Sequence, residues 1–146
     1  MDLVKLIGKS YKTISMVIKE EDVVPFSKAT KQKDEIFFNK IVAQNEGYSN
    51  IVCPPTYLIS IGMKHNILNE CLEDIEIGLE RILHAGQEFN YSSLVFVEDK
   101  ISMKTIFKNA YEKKEGKLIF FVYESKFYNQ NEVEVCVMNN TLLLRS

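Results

Sequence analysis

From residue 88 onward the chain is a run of β-prone segments at short, regular spacing: Glu88 to Tyr91, Lys100 to Tyr111, Lys117 to Tyr128 and Val133 to Leu144. Turn-forming stretches separate them at Glu98-Asp99, Lys113 to Gly116 and Asn129 to Glu132. Strands joined by so few residues must pair antiparallel, because a parallel crossover needs a dozen residues or more. The spacing predicts an antiparallel meander. Ile101, Met103, Thr105 and Phe107 alternate with Ser102, Lys104 and Lys108, so the sheet is expected to have one dry face and one wet face. A dry face must be covered.

The first half of the chain supplies the cover. Tyr11 to Ile18 is β-branched and partly alternating, which predicts a first strand. Glu20-Glu21-Asp22 suits a helix N-terminus, with Pro25 tolerated if it falls in the first turn. A second helix is expected over Asp34 to Asn45, with Phe37/Ile41 and Phe38/Val42 forming an apolar stripe and Gly47 ending it. In Ile51 to Tyr57, Pro54 forces Cys53 to be extended and Pro55 suits a helix start. Leu58, Ile61, His65, Leu68 and Leu72 then recur at three- or four-residue intervals, predicting one long, largely buried helix with His65 on its apolar side. The fold class expected is α+β, a long helix held against an antiparallel sheet.

The 146 residues suit a single domain over 1–146, and 46% hydrophobic residues argue against disorder. No apolar run is long enough to span a bilayer, and Met1 to Lys9 lacks the apolar core of a signal peptide, so a cytoplasmic protein is expected. A net charge of −2 with scattered lysines gives no electrostatic footprint for nucleic acid. The mixed run around Lys28, Lys31, Lys33, Asp34 and Glu35 reads as a solvated edge. Cys53, Cys71 and Cys136 are widely spaced without a C-x-x-C pair, which speaks against a zinc site and for reduced, buried thiols. A nucleophilic cysteine would need a base, and His65 and His84 are the two histidines present. No metal or cofactor is expected.

Several stretches, in order, resemble one family. Phe26-Ser27-Lys28-Ala29, Ala43, Gly47-Tyr48 and Ile51-Val52-Cys53-Pro54-Pro55-Thr56 are similar to the N-terminal type of MaoC-like dehydratase domain. The likeness resumes at Leu83-His84-Ala85-Gly86-Gln87-Glu88-Phe89-Asn90-Tyr91 and continues at Asn129-Gln130 and Leu142 to Arg145. The resemblance implies a hot-dog fold, a curved antiparallel sheet wrapped around a long central helix. It also implies acyl thioesters of coenzyme A or acyl carrier protein as substrates, reversible dehydration of (3R)-3-hydroxyacyl groups, and pairing of hot-dog subunits into a homo- or heterodimer.

The departures bear on chemistry. Active members of that family carry an Asp and a His as an acid/base pair. Aligning Ala29 and Gly47 without a gap places Gln32 at the Asp position and Phe37 at the His position. Neither side chain exchanges a proton near neutral pH. The family's Gly, whose N–H polarises the thioester carbonyl, is matched by Pro54, which has no N–H. The resemblance therefore implies a subunit inactive alone, binding substrate through Cys53, Pro54, Pro55, Tyr57 and His84. A rerouted hydratase or thioesterase built on His84 with Asp34 or Glu88, and a plain acyl-thioester binding module, remain as alternatives. The bland alternatives are a helix cap for Asp34 and a turn-bound structural histidine for His84. Phe120, Phe121, Tyr123, Phe127 and Tyr128 are open to two readings, an acyl-chain lining or ordinary core and interface. The turn residues also depart: Glu98 and Glu132 stand where the family has glycines, leaving Asn131 as the expected carrier of a left-handed angle.

Overall fold

A computed structural model describes residues 3–145; Met1 and Asp2 of the N-terminal segment, and Ser146, lie outside the described residues. The β-prone runs form four strands, β2 (Ile82–Tyr91), β3 (Lys100–Lys113), β4 (Leu118–Tyr128) and β5 (Glu134–Arg145), joined by a short β1 (Ile14–Val17). All pairings are antiparallel, in the order β1-β3-β4-β5-β2. The meander holds for β3, β4 and β5. β2 departs from it: it crosses to the far edge and pairs with β5. The connection over residues 92–99 is occupied elsewhere, with Cys53 N–H donating to Val95 O and Val97 N–H to Ile51 O. β2 also begins six residues earlier than its β-prone core, so the Leu83–Gln87 stretch lies within a strand, and its register shifts between His84 and Gly86.

The alternation in β3 places Ile101, Met103, Thr105 and Phe107 on the dry face. Phe121, Tyr123 and Phe127 of β4 pack there too, whereas Phe120 and Tyr128 have the opposite phase. Phe107 meets Tyr123 edge-to-face at 5.2 Å between ring centres, and Phe121 lies at 6.4 Å. Over them lie Ile18, Ile51, Leu58, Ile61 and Ile75, all fully buried.

The long buried helix is not present. The segment forms two short helices, α3 (Ile59–Lys64) and α4 (Ile67–Glu73); these are numbered after α1 (Glu20–Ala29) and α2 (Lys40–Asn45). Between them Asn66 adopts φ 53°, ψ 30°, a left-handed conformation that asparagine tolerates better than most residues. The break re-phases the stripe: Ile67 and Cys71 go inside with Leu72, Leu68 is half-buried, and His65 caps α3 in solvent. The apolar period alone cannot reveal such a break, because both helices cover the same sheet.

The helix expected over 34–45 is likewise two pieces, a 3₁₀ turn at Glu35–Phe37 and then α2. Two side-chain caps compete with continuous helix: Asp34 Oδ1 accepts from Ile36 N–H at 3.1 Å, and Asn39 Oδ1 accepts from Ile41 N–H at 2.9 Å and Val42 N–H at 3.2 Å. Ile41 is exposed as a result. Gly47 follows α2 with φ 95°, as a helix stop requires. Pro25 falls beyond the first turn of α1, yet the helix runs on to Ala29; Pro25 and Glu21, whose carbonyl loses a donor, are both exposed.

The left-handed angle expected at Asn131 is taken by Glu132 itself, at φ 59°, while Asn129 Oδ1 accepts from Asn131 N–H and Val133 N–H and pins the turn. Glu98 does the same at φ 76°, and its carboxylate accepts from Asn50 Nδ2 at 3.1 Å. Glu132 has a Cβ in a region that favours glycine and is exposed. Glu132→Gly is therefore expected to raise unfolding stability by about 0.5–1 kcal/mol, read from urea denaturation midpoints. Asn131→Gly should give no comparable gain.

Candidate functional site

Between α3–α4 and the dry face of the sheet lies a cavity of about 480 Å³. Its apolar wall comes from Met63, Ile67 and Leu68 on the helical side and from Met103, Met138 and Leu142 on the sheet. Gly62 makes room for it. A Cβ there would come within 2.9 Å of Ile67 Cγ2 and 3.1 Å of Met103 Cε. The helix break also shapes the opening, since Met63 and Asn66 line the cavity and Met63 is 72% exposed.

The floor is not wholly apolar. Thr105, Ser125, Tyr123 and Asn140 line it. Thr105 faces Ser125 across β3 and β4, and Tyr123 faces Asn140 across β4 and β5, in the next row of the same face. Thr105 Oγ1 and Ser125 Oγ are 2.8 Å apart, and Tyr123 O–H donates to Cys71 O at 3.2 Å. Burial keeps the neighbouring acids neutral: it pushes the Cys71 thiol up to about 12 and raises the Tyr123 hydroxyl as well. These hydroxyls escaped sequence reasoning because Thr105 passes for a member of the apolar set. The signal was there, a hydroxyl in phase with Ile101, Met103 and Phe107.

Among the candidate residues, His84 lines the cavity. It sits in β2 opposite buried Leu142, and its ring nitrogen is 3.3 Å from Gln87 Oε1. Glu88 pairs with Asn139, out of phase with the inward Met138 and Asn140, so it faces away from His84's side of the sheet, where Asn90 Nδ2 donates to it. Asp34 caps the 3₁₀ turn and does not line the cavity. Gln32 is half-buried just after α1, its N–H donating to Ser27 O. Phe37 packs in a second, smaller cluster with Ile36, Ala43 and Val52.

Cys53, Pro54 and Tyr57 are buried, and Pro55 O accepts from the Tyr91 hydroxyl. Tyr57 stands edge-on to Phe26 at 5.3 Å. None of these four lines the cavity, so the structure does not bring them together with His84. Burial raises the Cys53 thiol strongly and the Cys136 thiol to about 11. With all three cysteines buried, a disulfide-exchange reagent at pH 8 is expected to label none of them within minutes in the native protein and all three in urea. Rapid labelling of one thiol in the native state would contradict this.

Residues 5–138 match the family described as FAS1-like, dehydratase domain region. A UPF0336 protein of Streptomyces coelicolor is 27% identical over 101 residues, which cover 67% of this chain and 66% of that relative. The UPF0336 relative from Mycobacterium leprae is 26% identical over 108 residues, 73% of this chain and 65% of its own length. The chain thus matches just under two thirds of the length of these relatives. Among solved structures, the C-terminally truncated HadBC (3R-hydroxyacyl-ACP dehydratase) complex from Mycobacterium tuberculosis superposes with a TM-score of 0.81 at 20% identity, over 94% of this chain and 96% of that one. A MaoC-like dehydratase gives 0.86 at 16% identity, over 99% of this chain and 43% of its own. Likeness at such identities speaks for the fold. The five-stranded antiparallel sheet with its helical cover is a hot-dog fold, and the chain belongs to the FAS1-like dehydratase domain-region family.

Proposed function

We propose that this chain is the non-catalytic subunit of a (3R)-hydroxyacyl-thioester dehydratase or hydratase, forming one domain over 1–146 that receives the acyl chain and pairs with a second hot-dog subunit. The observation that carries this reading is a cavity with an apolar wall alongside Gln32 and Phe37 at the positions of the acid/base pair. The partner supplies the Asp and His. The HadBC neighbour, a dehydratase complex, is consistent with such a division of labour. In this reading His84, on the cavity wall, contacts the thioester end of the substrate, and the protein works in the cytoplasm on coenzyme A or acyl carrier protein thioesters. A rerouted reaction has less support, since His84 bonds Gln87 and lies away from both Asp34 and Glu88.

Native mass spectrometry of the chain purified from its own host should reveal a complex with a hot-dog chain that retains Asp and His. The purified chain alone should not hydrate enoyl thioesters. Adding it to the partner should raise turnover or change the preferred chain length. A mixture that matches the partner alone in both respects would sink the proposal.

A further inference from the structure

We propose that the cavity is built for an acyl chain that carries a further neutral oxygen, a hydroxyl or a ketone, along its length beyond the C3 hydroxyl on which a dehydratase acts, rather than for plain hydrocarbon. This rests on the acyl-binding reading above and specifies its ligand. The observation is a polar patch in an otherwise apolar wall, made by Thr105, Ser125, Tyr123 and Asn140 in two adjacent rows of β3, β4 and β5.

Hydrogen counting says what the patch lacks. Thr105 and Ser125 are 4% and 3% exposed, and each hydroxyl carries one hydrogen. The 2.8 Å bond between them uses one hydrogen, leaving one O–H of the pair without an acceptor. Tyr123 has already given its hydrogen to Cys71 O, so its oxygen can only accept. Asn140 Oδ1 is buried with no partner, and the same amide carries two N–H donors. The patch therefore offers a spare hydroxyl donor, an amide, and a phenolic acceptor.

A methylene chain laid across these groups would leave them desolvated and unpaired, which costs affinity. A ketone accepts the spare donor. A hydroxyl both accepts it and donates to Tyr123 or Asn140. The partners of Tyr123, Thr105 and Ser125 are uncharged, and Cys71 and Tyr123 stay neutral in the wall, so the patch suits a neutral oxygen and not a carboxylate.

The test is calorimetric titration of the purified chain, alone and in complex with its partner, with coenzyme A thioesters of one chain length. The panel holds the plain chain and a positional series with a single hydroxyl or a single oxo group. Binding is expected to peak at one position beyond C3, about tenfold tighter than the plain chain, the value of one net hydrogen bond; a peak at C3 alone would overturn the inference, being the hydroxyl of the dehydratase substrate itself. In Thr105→Val/Ser125→Ala, which removes both hydroxyls together and leaves neither orphaned, the preference should shrink several-fold and the plain chain should bind more tightly. The positional scan on the natural chain decides the matter even if that variant does not fold. Plain chains that bind as well as every oxygenated one would overturn the inference while leaving the acyl reading intact, the patch then serving a structural water. Failure of every thioester to bind, in the complex as well, would remove both.

Discussion

Phe107→Ala is expected to cost the fold about 3–5 kcal/mol, the range for a fully buried aromatic ring cut to a methyl. Phe107 is fully buried where the sheet is most densely aromatic, edge-on to Tyr123 and beside Phe121. Its loss removes the transfer free energy of the ring and leaves a void that cannot close, because Phe107 is held in register with Tyr123 of β4 on one side and its backbone is bonded to Gly8 and Lys9 on the other. A domain of this size has only about 5–15 kcal/mol in total, so the variant should unfold at much lower urea or express in insoluble form. The contrast is Phe120→Ala. That ring stacks on Tyr111 on the opposite face and is half-buried, so its loss should cost well under half as much. Equal losses would mean that both faces of this sheet are buried in the folded protein.

Gly62→Leu should sharply weaken binding of full-length acyl chains while sparing most of the fold. The Cβ alone would reach 2.9 Å from Ile67 Cγ2, and the rest of a leucine side chain has the cavity to occupy. Overpacking of this kind costs about 1–3 kcal/mol, partly offset because glycine in a helix is about 1 kcal/mol worse than an ordinary residue. Gly62 shows no positive φ, so a side chain brings no backbone strain there. The expected result is a loss of thioester affinity of about a hundredfold, or a shift to shorter chains, with only a modest change in unfolding midpoint. Unchanged affinity at full chain length would show that the acyl group binds somewhere other than between α3–α4 and the sheet. Glu132→Gly, in the β4–β5 turn and not part of the cavity lining, serves as a control that alters stability and not binding.

Much of the sheet was legible from local pattern. Alternation in β3 and the turn residues after it located β3, β4 and β5 to within a few residues, because a strand's side-chain period and its turn chemistry are both local properties. The family likeness, carried by short motifs spread along the chain, pointed to the fold. The start of β2 was not legible. Leu83-His84-Ala85-Gly86-Gln87 has no clean alternation, and a bulge at Ala85 breaks its period. The helix break at Asn66 was hidden because Leu58, Ile61 and Leu72 face the same sheet from both helices. Of the candidate site residues, His84 could be singled out by its chemistry, whereas Thr105 offered only a hydroxyl in phase with an apolar set, and its pairing with Ser125 lies in a different strand.

The order of residue types along the chain thus determined where β3, β4 and β5 lie and which face of β3 is dry. Tertiary structure alone decided that β2 pairs with β5, that the covering helix breaks at Asn66, and that hydroxyls from β3 and β4 meet beneath α3 and α4 in one cavity. The physical reason is range. Propensity, alternation and capping act over a few residues, but a cavity is defined by what long-range packing fails to fill, and no short window of sequence contains both of its walls.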